Sequence, residues 1–420
     1  MPCSRAAGRS LFALTAAVVA LGALAARAQP TDDERRCTGQ IAASAELQAA
    51  ACTALIASGR YGAQNLAILH SNRGIAYGKA GDFDRAIADF DEAIRINPNH
   101  LRAYLNRGSA YSAKREFDRA IASYDQAIRL DPKSVPSYLG RAGAFDAKGE
   151  TERAIADYDE AIGLDPKLAT AHVNRGLAHR RRGDSERAIA DFGEAIRINP
   201  KYVAAYNNRG IAYADRGEQD RAVADYDAAL RLDPNFALAH LNRGLIWSAK
   251  KDHDRAIADF DAAIRLSPDN APAYNNRGTA FDAKGEFDRA LADFDRAIAL
   301  DPQNASFYDN RGNVWRNKGK FARAIADYDK AIALVPNFAL AFYNRAQAHY
   351  LAGRFPDALA DADKAAKLNA RSASALSLRG LINEKLGAKD KAIADMRRAN
   401  RLDPGFQQAL DGLRRLGATP

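Results

Sequence analysis

Cysteine is scarce, three residues in a chain of 420, which excludes a disulfide-dense small scaffold. Histidine is nearly as thin, seven residues, and none is spaced as a metal ligand. A Gly-rich phosphate loop, a Ser/His/Asp set and a paired-carboxylate arrangement are all missing, so no enzyme chemistry, cofactor or metal is expected. The apolar run Leu11 to Ala26 has 16 residues, short of the ~20 that a membrane-spanning helix needs. A basic stripe is lacking too. The formal net charge is +9, but Arg5, Arg9 and Arg27 stand near the start with no acid beside them. From Arg371 onward ten Lys and Arg face five Asp and Glu. The body between is close to neutral, which argues against nucleic acid, since phosphate neutralisation supplies most of that affinity. The basic end leaves room only for a weak contact with an anionic envelope or membrane surface.

What is present begins with a leader. Arg5 and Arg9 form a positive start, the apolar run follows, and Ala26-Arg27-Ala28 supplies small residues before Gln29. Residues 1–28 therefore read as a signal peptide cleaved after Ala28, which places the mature chain in the periplasm or outside the cell. Residues 29–66 read as an N-terminal cap. They hold Cys37 and Cys52, an even pair in an exported chain, expected to form a disulfide. On a single helix the two would lie about 22 Å apart at 1.5 Å per residue, so a bridge requires a turn between them. Ser44, just before an apolar helical run, is placed to cap the second helix. Two buried free thiols are the alternative.

Proline then sets a register. Pro98, Pro132, Pro166, Pro200, Pro234, Pro268, Pro302 and Pro336 are each 34 residues apart, and after Ala370 the series closes on Pro404. Numbering each unit one to thirty-four from residue 67 gives ten units over 67–406. Position twenty is Ala in all of them, Ala86 through Ala392, and so is position twenty-seven. Position eight is Gly except at Ala142 and Ala346, and position twenty-four is Phe or Tyr from Phe90 to Tyr328. At 100° per residue, positions four, eight and eleven share one face of a first helix. Positions twenty, twenty-four and twenty-seven share one face of a second. Gly at position fifteen suits a left-handed terminus between them, and the residue before each Pro leaves helical dihedrals. Each hairpin is too small to hold its own core and must stack on its neighbours.

This combination resembles the tetratricopeptide repeat, with a bulky residue at four, Gly at eight, an aromatic at eleven, Ala at twenty, Phe or Tyr at twenty-four and Pro at thirty-two. The resemblance implies an all-α fold, a right-handed α-α superhelix (a solenoid of about ten helix-turn-helix repeats), in an exported bacterial chain built of these repeats. Residues 407–420 are then a capping helix and tail. One departure is consistent: the family usually has Leu at position seven, where this chain has Arg in every unit, Arg73 through Arg379. A buried guanidinium needs a carboxylate. Position twenty-three offers Asp in nine of ten units, with Ser123 the exception, so a ladder of Arg–Asp pairs is expected.

In superhelices of this family, positions two, five, six, nine and thirteen of the first helix line the concave groove. Position six carries Asn72, Asn106, Asn174, Asn208, Asn242, Asn276, Asn310 and Asn344, interrupted by Gly140 and ending at Leu378. An amide side chain both donates and accepts, so a regular row can pair with successive peptide groups. The row is similar to the asparagine ladder in the repeat domain of O-linked GlcNAc transferases. The chaperone-tail readers need Lys or Arg at positions two and six of one repeat; position two is basic at Arg102 but position six is basic nowhere, so that clamp is missing. Apolar Leu105, Leu139, Val173 and Leu241 share the groove with polar Asn275, Asp309 and Asn313. These features lead to a non-enzymatic protein–protein interaction scaffold or adaptor, its Asn-lined groove gripping an extended peptide segment of a partner protein. The alternatives are a structural solenoid that assembles into homo-oligomers, and a peripheral envelope protein held by its basic C-terminus.

Overall fold

The computed structural model describes residues 30–419. The expected leader, with Cys3 and the cleavage point after Ala28, lies outside the described residues. Within them all 23 regular elements are α-helices, and no helix is long and apolar enough to cross a membrane.

One hairpin shows how the units are made. In the seventh, the first (A) helix is Ala271–Ala283 and the second (B) helix is Phe287–Leu300. Asn270 caps the start, its side chain accepting from the Ala273 amide at 3.1 Å, and Pro272 follows where its missing N–H costs nothing. Gly285 ends the A helix in the left-handed region, φ 75°. The Glu286 amide then closes onto the Phe281 carbonyl at 2.9 Å. Asp301 leaves helical dihedrals ahead of Pro302 (φ −139°, ψ 84°) and ends the B helix. Phe281, Phe294, Ala290 and Ala297 are all buried between the two helices. A buried Phe stabilises by roughly 1.5–3 kcal/mol.

Glycine at position eight is a packing requirement. A Cβ on Gly244 would lie 2.7 Å from a ring carbon of Phe260, and one on Gly108 would lie 2.7 Å from Tyr124. The aromatic at position twenty-four fills the space that the missing side chain leaves.

The chain divides into two compact units, Met1–Gly217 and Glu218–Pro420. In the first, helices Asp32–Cys37 and Ala45–Ala57 precede four hairpins and the A helix Val203–Asp215. Ser44 does cap the second of these helices, accepting from the Leu47 amide. Cys37 and Cys52 are joined in a disulfide. With Leu55 and Leu69 they make a small core over the first hairpin. Glu34, held by the Thr31 capping box, accepts from the Tyr61 hydroxyl at 2.7 Å. Burial and this carboxylate push the Tyr61 phenol up to about 12.

In the second unit, the B helix Gln219–Leu232 leads into five hairpins and the last helix, Gln407–Arg415. Met396, Ala409 and Leu413 are fully buried there and close that end. In both units each B helix packs on its own A helix and on the next, and A helices of successive hairpins touch directly. B helices make no comparable contact with one another among the described residues. The A side is thus the tightly packed inner side of each unit.

Candidate functional site

The frame that holds the inner face is ionic. Arg at position seven meets Asp at position twenty-three of its own hairpin through two hydrogen bonds, as at Arg277–Asp293 (2.8 and 2.6 Å) and Arg311–Asp327 (2.9 and 2.6 Å). The pairing runs from Arg73–Asp89 to Arg379–Asp395. Where Ser123 replaces the acid, Arg107 Nε donates to its hydroxyl at 3.1 Å. Each carboxylate is buried, Asp259 to 4% exposure and Asp293 to 5%, and such groups persist in the interior only when paired. Hydrogen bonding to Asp293 outweighs burial and raises the Arg277 pKa. Burial pushes the Asp89 carboxyl up, but hydrogen bonds from Arg73 and His70 prevail and hold it below the ordinary range.

A second carboxylate joins eight of the ten arginines, and the helical wheel of a single repeat does not contain it. Arg277 Nη1 donates to Asp261 at 2.6 Å and Arg311 Nη1 to Asp295 at 2.6 Å, in each case on the preceding hairpin. Arg107–Asp91 and Arg379–Asp363 repeat the arrangement. Position seven therefore both closes its own hairpin and clips it to the one before. Arg73 follows no such hairpin, and its Nη1 donates to Thr53 of the cap instead, at 3.2 Å. The sequence signal was available, since position twenty-five is Asp in eight of ten units.

The asparagine row lies beside this frame. Asn72, Asn106, Asn174 and Asn208 in the first unit are half-buried, and their side chains hydrogen-bond to no other described residue. Asn242 and Asn276 are likewise half-buried. Asn276 Oδ1 accepts from Asn275 at 3.3 Å. The next two rungs are committed to neighbours. Asn310 Nδ2 donates to Asn275 at 2.8 Å, and Asn344 Nδ2 donates to both oxygens of Asp309 at 3.0 Å. Asn344 is buried to 5% exposure. In both cases the acceptor is position five of the preceding hairpin. Before Asn174 and Asn208 that position is Leu139 and Val173, which offer an amide nothing.

The break at Gly140 also has a steric cause. A Cβ there would lie 2.5 Å from the ring of Tyr124 on the preceding hairpin, so no side chain fits.

Asp309 is unlike the other buried aspartates of the second unit. It is 2% exposed and has no arginine in the bidentate position. Burial raises its pKa, with the Asn344 amide and the charge of Arg316 opposing. Arg316 Nη1 itself donates to Gln347 at 2.6 Å and to Asn344 at 3.4 Å. Asp282 one hairpin earlier is raised by burial too, against a hydrogen bond from Asn317. The inner face of the second unit is thus a closed polar network around Asp309. In the first unit position five is apolar at Leu105, Leu139 and Val173, the ion pairs Arg181–Asp146 and Arg180–Asp215 lie at positions twelve and thirteen, and the amides of the row stand open. No group of His, Cys, Asp and Glu among the described residues could hold a metal ion.

Comparison with known proteins agrees with the repeat architecture. A tetratricopeptide repeat model matches residues 72–135, 106–169, 139–203, 173–235, 207–271 and 343–405, and two further models of the repeat match 271–304 and 312–353. No curated protein matches the chain. Among solved structures, the APC/C hetero-tetramer Cut9–Hcn1 is similar at 18% identity and TM-score 0.51, over 92% of this chain and 87% of that one. A tetratricopeptide repeat protein from Parabacteroides merdae is 22% identical with TM-score 0.49, over 60% of this chain and 98% of that one. PilW, a type IV pilus biogenesis factor, is 26% identical with TM-score 0.48, over 50% of this chain and 98% of that one.

Proposed function

The chain belongs to the tetratricopeptide repeat family, and we propose that it acts as a non-enzymatic protein–protein interaction scaffold whose first unit grips an extended peptide on its inner face. One observation carries the proposal: the row of half-buried amides Asn72, Asn106, Asn174 and Asn208, which hydrogen-bond to no other described residue. Each of these amides is reachable and keeps its donor and acceptor uncommitted, and successive peptide groups of an extended ligand supply an acceptor and a donor to each rung. Half-buried Leu105 and Leu139 between the rungs suit spaced apolar side chains. The rungs Asn310 and Asn344 are occupied by Asn275 and Asp309, so the second unit contributes less of the grip. The leader reading places this activity in the periplasm or outside the cell.

The test is selection of peptides from a random library on the intact mature protein, followed by affinity measurement on the Asn106→Ala/Asn174→Ala/Asn208→Ala variant. Loss of at least tenfold with an unchanged melting temperature is expected. Selected peptides that bind the variant as tightly as the parent would refute the Asn-lined site. Recovery of no peptide at all would count against peptide binding itself.

A further inference from the structure

Cations on the outer side differ in how they are partnered. At positions fourteen and nineteen many are paired, as Lys284 with Asp254 at 2.7 Å and Arg289 with Glu286 at 2.5 Å, while Arg323 and Lys391 at position nineteen have no acid partner among the described residues. Position twenty-six behaves differently in the two units. In the first it carries Glu92, Gln126, Glu160 and Glu194, and Glu92 and Glu194 are tied to Arg95 and Arg197 three residues on, at 2.6 Å. In the last four repeats of the second unit it carries Arg296, Lys330, Lys364 and Arg398.

These four stand on successive B helices, Phe287–Leu300, Phe321–Leu334, Phe355–Leu368 and Lys389–Leu402. All four are exposed and none has an ion-pair partner among the described residues. Their contacts are slight. Arg296 lies 6.0 Å over the Tyr274 ring, Lys364 lies 5.9 Å over Phe342, and Arg398 donates to the Ala370 carbonyl at 3.3 Å. One turn earlier on each helix is an exposed alanine, Ala292, Ala326, Ala360 and Ala394. One turn later, Lys367 and Arg401 add two more exposed cations with no acid partner. Exposed acids stand beside three of the rungs, Asp295, Asp329 and Asp363, but each is held by an arginine of the following hairpin, Arg311, Arg345 and Arg379, and no acid occupies positions twenty-two, twenty-six or twenty-nine of these four repeats.

We infer that this outer row is a second docking surface, separate from the inner-face amides, for an acidic segment of a partner protein. Like charges repeated on successive helices with no ion-pair partner of their own repel one another, so an anionic chain laid along them relieves the repulsion and gains attraction at each rung. The face favours a protein segment over a membrane, because its neighbours at position twenty-two are alanines and Leu402 is the single exposed large apolar side chain beside the four rungs on these described helices, too little to anchor in a bilayer. It favours protein over single-stranded nucleic acid because it exposes no aromatic platform for base stacking.

The experiment measures binding of fluorescein-labelled polyglutamate to the intact mature protein, against the Arg296→Gln/Lys330→Gln/Lys364→Gln/Arg398→Gln variant. These residues are exposed and the variant is expected to melt like the parent. The parent binds, and binding is lost between ionic strengths of about 0.1 and 1 M, where the screening length falls from ~10 to ~3 Å. The variant binds at least roughly tenfold more weakly, the order expected when several exposed ion pairs are removed together. A Glu92→Gln/Glu194→Gln control and the triple asparagine variant keep polyglutamate affinity, which separates this surface from the inner-face site. Equal binding by parent and quadruple variant overturns the inference. So does tight binding of phosphatidylglycerol vesicles, or of an oligonucleotide, by a parent that leaves polyglutamate unbound.

Discussion

Arg277 and Asp261 lie on different hairpins, 2.6 Å apart, while the same guanidinium holds Asp293 of its own hairpin with two further bonds. Asp293 is buried and Asp261 is exposed, so the two carboxylates differ in energetic weight. Removing Asp293 strands a largely enclosed charge, whereas removing Asp261 takes away a surface pair.

Asp293→Ala is therefore expected to cost about 3 kcal/mol, and Asp261→Ala roughly 0.5 kcal/mol, in urea unfolding of the intact mature protein. Arg277→Leu leaves Asp293 without a partner and should behave like Asp293→Ala. The double variant Arg277→Leu/Asp293→Leu should recover most of the loss, because apolar replacement of a buried pair is often neutral or better. Equal small losses for all three single substitutions would show that the pairs do not hold the hairpin.

Gly193 marks the one interior repeat where the clip to the following hairpin has no carboxylate, and its Cβ position lies 3.6 Å from Arg209 Nη1. Gly193→Asp is expected to stabilise beyond Gly193→Ala. The alanine alone should give about 0.5–1 kcal/mol, from the lower backbone entropy of a non-glycine helix interior. A melting temperature no higher for Asp than for Ala would argue against the clip.

The cap is expected to depend on its disulfide. Chain lacking residues 1–28 should show no free thiol on denaturation without reductant. Reduction should cost roughly 3 kcal/mol in the first unit by the chain-entropy estimate for a loop of this size. Hydrogen exchange at Leu55 and Leu69, which pack on the bridge, reads the local loss. Two labelled thiols per chain would contradict the bridge.

Asp309 is expected to give a pH signature. Burial raises its folded-state pKa above the unfolded value, so its contribution is fully present below the unfolded pKa of about 3.9. That contribution is lost as pH rises through the folded value. Asp309→Asn removes the cost of the buried charge while keeping an acceptor for Asn344. It should raise the melting temperature at pH 7, with the gain vanishing towards pH 3.5. A gain of the same size at both pH values would mean that charge burial is not its cause.

Much of the fold is legible in the residues of a single repeat. Gly278, Phe281, Ala290, Phe294 and Ala297 announce two helices and the faces on which they meet, because helical periodicity and the left-handed Gly285 act over a few residues. The Arg277–Asp293 pair could be read from the same wheel. The candidate site was only half legible. The regular spacing of the Asn rungs shows that they share a face, but whether an amide is open depends on the hairpin before it.

Sequence alone, then, determined the hairpin, its 34-residue period and the pairing of position seven with position twenty-three, since each is a short-range consequence of helix geometry. Tertiary structure decided the rest. Stacking brings Asp261 to Arg277, Asp309 to Asn344, and the Tyr124 ring to the place where Gly140 would carry a side chain. Those contacts join residues of successive repeats, and their distances follow from the packing of one hairpin on the next, which no single repeat encodes.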